Sequence, residues 1–286
     1  MKEKLHHHTE IGYVQLKVAA LERSAKFYKE IIGFRVEKEE ENKVYLTAAN
    51  DQKTLLILEE VQGVRPQPRH TAGLYHFAIL VPDRESLAVS LRHLLEKKTP
   101  LQGASDHLFS EAVYLQDPDN NGIEIYADRP REQWETQANG KYKAATVPLH
   151  ADDMLQLADE KVWQGLPAET KIGHIHLHVG DLAAAQSFYV DGIGFETTIH
   201  MGEQALFVAA GGYHHHVGMN TWAGQGVPKP PENAAGLRYY TIVLQGEEEL
   251  TAVTKRLERT GFHAEKTAGG VFAADPFGNT IKFEIQ

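Results

Sequence analysis

The sequence predicts an α+β protein built from four copies of one βαβββ module. Three observations carry that expectation. Four short segments alternate apolar and polar residues in a common register: Gly12–Val18, Leu74–Val81, Gly173–Val179 and Leu237–Leu244. Each leads through a polar break into a helical stretch. Two of the modules then end on the same turn phrase. Recurrence of this kind marks one supersecondary unit repeated along the chain.

The first segments alternate at a period of two, so each is a strand with two unlike faces. In the helices that follow, Phe27 and Ile31, then Leu87, Leu91 and Leu94, then Leu250, Val253 and Leu257 lie three and four apart and give one apolar face. Asp83 and Asp181 stand at N-cap positions. Gly33-Phe34, Gly194-Phe195 and Gly261-Phe262 end the first, third and fourth helices with a glycine stop and an apolar residue that returns to the core. The second helix ends at Lys97-Lys98-Thr99-Pro100 instead.

The second and fourth modules close on Asp117-Pro-Asp-Asn-Asn-Gly-Ile-Glu124 and Asp275-Pro-Phe-Gly-Asn-Thr-Ile-Lys282, a turn into a last strand. The first phrase partly matches a calcium loop. Pro118, the flanking strands and Asp128 at the twelfth position are wrong for a helix–loop–helix.

Stretches rich in proline, glycine and polar residues separate the modules at Gln62–His70, Arg129–Thr170 and Ala223–Ala235. The chain accordingly divides into an N-terminal half at 9–127, with modules at about 9–60 and 71–127, a linker at 128–169, and a C-terminal half at 170–286, with modules at about 170–222 and 235–286. Within the linker, 152–160 is expected to form a short helix. His6, His7 and His8 precede the first periodic segment and read as a frayed end, not a ligand set.

A hydrophobic fraction of 42% and a charged fraction of 24% are those of a globular protein. The net charge of −10 argues against a nucleic-acid partner, which needs a basic face. With no cysteine there is no disulfide, thiolate metal site or cysteine nucleophile. Residues 1–10 lack the apolar run of a secretory signal and no later segment is apolar enough to cross a bilayer, so the expectation is a cytoplasmic protein without a membrane partner. An oligomeric state is left open.

The two faces of the first strands differ in chemistry. Val14, Leu16 and Val18 oppose Tyr13, Gln15 and Lys17; Phe77, Ile79 and Val81 oppose His76, Ala78 and Leu80. Ile175, Leu177 and Val179 oppose His174, His176 and His178; Tyr240, Ile242 and Leu244 oppose Tyr239, Thr241 and Val243. A sheet covered by helices on its apolar face turns the other face to a cavity. The leading cavity-face positions are Tyr13, His76, His174 and Tyr239, so only the middle modules offer a metal ligand there. On the closing strands the second and fourth modules offer Glu124 and Lys282. A lone strand histidine is more often structural. His76, His174 and Glu124 together, at matching repeat positions, form the two-histidine, one-carboxylate set that suits iron(II) with open positions.

The module pattern, the first-strand histidine and the Asp-Pro-x-x-Asn ending resemble the vicinal-oxygen-chelate superfamily of glyoxalases, bleomycin-resistance proteins and extradiol ring-cleaving dioxygenases, over nearly the whole chain. Four modules resemble the bacterial catechol-2,3-dioxygenase-like branch. The resemblance implies paired modules forming two cup-shaped half-barrels, with ligands from first and last strands of one pair. It implies His174 from one module and His76 with Glu124 from the other as metal ligands. It also implies a tyrosine ten positions before the glutamate, which is Tyr114. His107 resembles the acid–base histidine of such enzymes with its spacing two residues off.

Tyr239 and Lys282 leave the fourth module without ligands, so the working cup has to join the second and third modules, and a first-and-fourth cup lined by Tyr13, Tyr239 and Lys282 would be metal-free. In Gly211-Gly-Tyr-His-His-His-Val-Gly-Met219, alternation groups His215 with Val217 and Met219 and turns His214, His216 and Gly218 to the cup. Gly218 aligns with Glu124, and His216 is the expected proton carrier beside the metal, with His107 and His214 as alternatives.

The activity implied is that of a metal-dependent extradiol dioxygenase taking a small aromatic, catechol-like substrate and O2, with Fe(II) as cofactor. The alternatives are a glyoxalase-like or other vicinal-oxygen-chelate enzyme using Mn(II), Ni(II), Zn(II) or iron without oxygen, and a metal-free binding protein of the bleomycin-resistance kind.

Overall fold

The computed structural model describes residues 4–49, 53–138 and 140–286. Module one runs β1 (Glu10–Val18), α1 (Leu21–Phe27), β2 (Arg35–Glu40), β3 (Lys43–Thr47) and β4 (Leu56–Glu60). Module two runs β5 (Gly73–Leu80), α2 (Arg84–Glu96), β6 (Leu101–Asp106), β7 (Ser110–Gln116) and β8 (Gly122–Asp128). The connection contributes β9 (Val147–Pro148) and α3 (Ala151–Gln156), a helix beginning one residue before the expected one and ending sooner. Module three runs β10 (Lys171–His178), α4 (Leu182–Gln186), β11 (Glu196–Met201), β12 (Ala205–Ala209) and β13 (Val217–Asn220). Module four runs β14 (Gly236–Leu244), α5 (Glu247–Arg259), β15 (Ala264–Thr267), β16 (Gly270–Ala274) and β17 (Thr280–Ile285).

The helix boundaries follow their sequence signals. Asp83 accepts a hydrogen bond from the Ser86 amide at 2.7 Å and Asp181 one from the Ala184 amide at 2.7 Å, as N-caps do. After α1 and α4 the chain widens into π-helical turns, Tyr28–Ile32 and Ser187–Ile193, before stopping at Gly33 and Gly194 with φ of 102° and 107°.

Two sheets result, and each takes one module from either half of the chain. One has the order β15-β16-β17-β14-β1-β4-β3-β2 and joins modules four and one. The other has the order β11-β12-β13-β10-β5-β8-β7-β6-β9 and joins modules three and two, with β9 of the connection added at its edge. The seams are the antiparallel pairs β1–β14 and β5–β10. In every module the first strand runs parallel to the last.

The apolar faces make the core: Val14, Leu16, Phe77, Ile79, Ile175, Leu177, Tyr240 and Ile242 are buried, and the helices cover them. Tyrosines from the π-helical turns tie neighbouring modules together. Tyr28 donates to Asp117 at 2.9 Å and Tyr189 to Asp275 at 3.1 Å. Each aspartate also accepts from three donors of its own closing phrase, the Asp119 and Asn121 amides and the Asn121 side chain for Asp117, and their Phe277 and Asn279 counterparts for Asp275. The repeated phrase is therefore a turn built around a buried, fully bonded carboxyl group.

The His6–His8 turn is not frayed, contrary to the expectation from its position. Leu5 is buried, its amide donates to the Gly194 carbonyl at 3.0 Å, and the His6 amide donates to Glu249 at 2.6 Å. One apolar anchor and two bonds hold the segment against modules three and four.

Candidate metal centre

Strand register aligns the four modules residue by residue. Across the parallel pairs, Ala78 faces Glu124, His176 faces Gly218, Thr241 faces Lys282 and Gln15 faces Ile57. His76, His174, Tyr239 and Tyr13 each lie two residues before the first partner named, so they are equivalent positions. The 2–3 seam brings His176 opposite His76 and His174 opposite Ala78. His76 and His174 thus approach from both sides of the seam while Glu124 arrives from the neighbouring strand.

The three expected ligands meet. His76 Nε2 lies 2.9 Å and His174 Nε2 3.2 Å from the same Glu124 Oε2, and one donor atom from each residue falls within a 4.8 Å group. All three are buried. Burial by itself would push the Glu124 carboxyl up, but His174 and His76 beside it hold it well below the usual carboxylate range. Burial draws His174 down to about 4 against the pull of Glu124. A carboxylate beside a neutral imidazole is the deprotonated state in which these groups bind a metal, so the donor set fits a divalent cation. His174 Nδ1 is buried without a hydrogen-bond partner. Its ring is held by packing instead, between Tyr126 and His215 at centroid distances of 4.8 and 4.1 Å.

Gly122 sets the height of the carboxylate. A Cβ there would lie 1.9 Å from the Tyr75 carbonyl oxygen, so only glycine lets β8 run this close to β5.

A cavity of about 460 Å³ opens from the three ligands. Tyr114 and His107 both line it and bond each other, Tyr114 Oη to His107 Nε2 at 2.7 Å. His107 Nδ1 lies 2.9 Å from the Ala145 carbonyl, which can only accept, so Nδ1 carries the proton and Nε2 accepts from the tyrosine. Burial, then Glu124, pushes the Tyr114 phenol well above its ordinary range. The phenol oxygen keeps lone pairs for a bound ligand.

The histidine run is arranged differently from the alternation reading. His216 does not line the cavity of the three candidate ligands: it lines a separate rear pocket, where its Nδ1 accepts from the Ala210 amide at 3.2 Å. His214 is fully buried and His215 lines the cavity instead. The physical reason is that the chain bends at 214 and 216 and enters β13 only at Val217, so a period of two has no hold on these residues. Burial, then His174 and His214, draws His215 well below the ordinary histidine range.

His176 also lines the cavity, its Nε2 bonded by the Asn220 amide group at 2.9 Å. It was legible on the cavity face beside His174. His215 carried no such signal.

The equivalent place in the 1–4 sheet holds a different constellation. Lys282 Nζ donates to Tyr13 Oη at 3.2 Å and to Glu284 at 2.8 Å, and Tyr13 and Tyr239 hydroxyls are 3.3 Å apart. Burial raises the Tyr13 phenol to about 12. An ammonium group bonded to a neutral phenol and a carboxylate stands where the other cup gathers metal ligands.

The family model described as Glyoxalase/Bleomycin resistance protein/Dioxygenase superfamily matches residues 10–125 and 171–283. A catechol-2,3-dioxygenase of Bacillus subtilis (strain 168) is 46% identical over 284 residues, 98% of this chain and 99% of its own. Among solved structures, a Bacillus subtilis protein provisionally described as a dioxygenase is 12% identical with TM-score 0.69, covering 99% of this chain and 86% of that one. Glyoxalase I from Zea mays is 15% identical with TM-score 0.59, covering 96% and 92%. At these identities the two structures speak for the fold alone.

Proposed function

The chain belongs to the Glyoxalase/Bleomycin resistance protein/Dioxygenase superfamily, and from that premise we propose that it is an iron(II)-dependent extradiol dioxygenase that opens a catechol ring. The observation that carries this reading is the count of ligands. Two facing modules could supply two histidines and two carboxylates, yet Gly218 stands where the second carboxylate would be. Three ligands, His76, His174 and Glu124, leave neighbouring positions open, the arrangement suited to iron(II) oxygen chemistry.

When bound, iron(II) supplies coordination positions for the two phenolic oxygens and for O2 and passes electrons between them. Both oxygen atoms enter the ring-opened product as the carbon–carbon bond beside the hydroxyls breaks, so no outside reductant is needed. The chain's own residues bind, orient and move protons. Tyr114, its proton directed to His107, accepts a hydrogen bond from a substrate hydroxyl. His215, neutral and lining the cavity, is the group for the second hydroxyl proton. Ile199, Phe207 and Phe109 form apolar wall around the ring and exclude water.

The glyoxalase-like reading keeps the same ligands and drops the oxygen. Anaerobic loading with iron(II), followed by oxygen uptake with a panel of catechols, separates the two. Stoichiometric uptake with appearance of ring-opened product is expected. Full iron occupancy with no uptake for any catechol would overturn the dioxygenase reading.

A further inference from the structure

The wall behind the metal centre holds a line of polar groups that the ligand set does not use. His214 Nδ1 and His215 Nδ1 are 2.8 Å apart, and His214 Nε2 is 2.8 Å from Asp128 Oδ1. Tyr213 Oη donates to Asp128 Oδ2 at 2.9 Å and is itself 2.7 Å from Tyr126 Oη. The line crosses the wall of the barrel. His215 lines the catalytic cavity, His214 is buried between, and Asp128 lines the rear pocket of about 320 Å³.

Donor and acceptor counting gives this line a direction. The Asp128 carboxylate only accepts, so His214 Nε2 must carry a proton. With His214 as the neutral imidazole, which has one N–H, its Nδ1 is bare. It can only accept, so His215 Nδ1 must donate to it. The lone pair of His215 is then on Nε2, the nitrogen not engaged with His214. Tyr213 spends its proton on Asp128 and so accepts from Tyr126, which closes the accounting at that end.

We propose that Asp128, acting through His214, is a positioning residue that fixes His215 in the Nδ1–H tautomer and presents its bare Nε2 to the cavity as a proton acceptor. The role of Nε2 in accepting a phenol proton rests on the dioxygenase reading; the tautomer does not. The geometry also says what a near-isosteric change would do. In Asp128→Asn the amide oxygen is claimed by the Tyr213 hydroxyl, which turns the NH2 group toward His214. His214 Nε2 then has to accept, His214 Nδ1 becomes the N–H, His215 Nδ1 becomes the acceptor, and His215 Nε2 becomes a donor. One amide in place of one carboxylate reverses both histidine bonds in the line, from position 128 to His214 and from His214 to His215.

The test is the tautomer itself, read by long-range 1H–15N correlation on histidine-labelled full-length protein loaded with diamagnetic zinc, the His215 signals being assigned by their loss in His215→Gln. The wild-type protein is expected to show His215 as Nδ1–H and Asp128→Asn to show it as Nε2–H. With the iron-loaded enzyme and a catechol, Asp128→Asn is expected to lower kcat by about 10²–10⁴-fold, the range for a positioned acid–base group, with KM changed less than about threefold. An Nε2–H tautomer in the wild-type protein would overturn the proposal even if the variant failed to fold. So would an unchanged tautomer, or equal kcat, in a folded Asp128→Asn. If the wild-type enzyme takes up no oxygen, the dioxygenase reading falls while the spectrum still decides the tautomer.

Discussion

Gly218 stands in β13 where Glu124 stands in β8, each paired with the residue two places beyond its module's leading histidine. The equivalence is positional and not functional, because the space beside Gly218 is occupied. A Cβ there would lie 3.0 Å from His176 Cγ and 3.1 Å from a Phe207 ring carbon. Module three gives up its carboxylate position to seat His176, and the site keeps three candidate ligands.

Gly218→Glu should therefore fail to add a fourth ligand. Its side chain would displace His176 or Phe207, at about 1–3 kcal/mol, the usual scale for overpacking. Urea unfolding with metal analysis checks this: a lower midpoint with weaker metal binding is expected. Wild-type stability with tighter metal binding would mean that His176 and Phe207 leave room for the longer side chain.

Glu124→Gln keeps the shape of the side chain and removes the charge that both histidines face at 2.9 and 3.2 Å. Loss of an outer partner of a metal ligand costs 10–100-fold in affinity, so loss of a ligand should cost more than roughly 100-fold. Competition against a chelator of known affinity gives the number. An affinity within about threefold of the wild type would remove Glu124 from the ligand set.

Strand periodicity makes most of this site legible in the sequence. His76, His174 and Glu124 lie on strands, where alternation fixes the face. The lack of ligands at Tyr13, Tyr239 and Lys282 already pointed to the 2–3 pairing that the sheet order has. The histidine run was unreadable for the opposite reason. His214–His216 precede β13, Gly211 and Gly212 carry φ of 61° and 66°, and the chain reverses there. Which imidazole reaches the cavity is then set by the turn and by Asp128, a residue 86 positions away in sequence. The close tie of Tyr28 to Asp117 was hidden likewise, since nothing local in either segment names its partner.

The 1–4 cup yields a prediction of the opposite sign. Lys282 bonds both Tyr13 and Glu284 from a side chain only 18% exposed. Lys282→Met removes a charge-assisted donor and should cost about 1–3 kcal/mol. Iron content and oxygen uptake should be unchanged, because the cluster is in the other sheet. Full stability with lost activity would show that this cup takes part in the reaction.

The cavity lining sets a preference for the substituent on the ring. The described residues lining the metal-site cavity include no lysine or arginine and one carboxylate, Glu124. A carboxylated catechol would bring a second anionic group, remote from the metal ligands, against a lining with no cationic side chain to meet it, and a buried charge without a partner is costly. An apolar substituent meets Phe207 and Ile199 inside and Tyr75, Met201 and Trp222, all well exposed, at the cavity's outer side. Each methylene buried there is worth about 0.8 kcal/mol, or roughly fourfold in kcat/KM. Carboxylated catechols should accordingly fall at least about tenfold below catechol, a difference of about 1.4 kcal/mol, while short alkyl catechols rise above it. Steady-state oxygen uptake across such a series decides the matter. Equal or better turnover of the acids would mean that a cation outside the described lining reaches the substrate, and Trp222→Ala, expected to erase the alkyl gain alone, would then leave the ranking of the acids untouched.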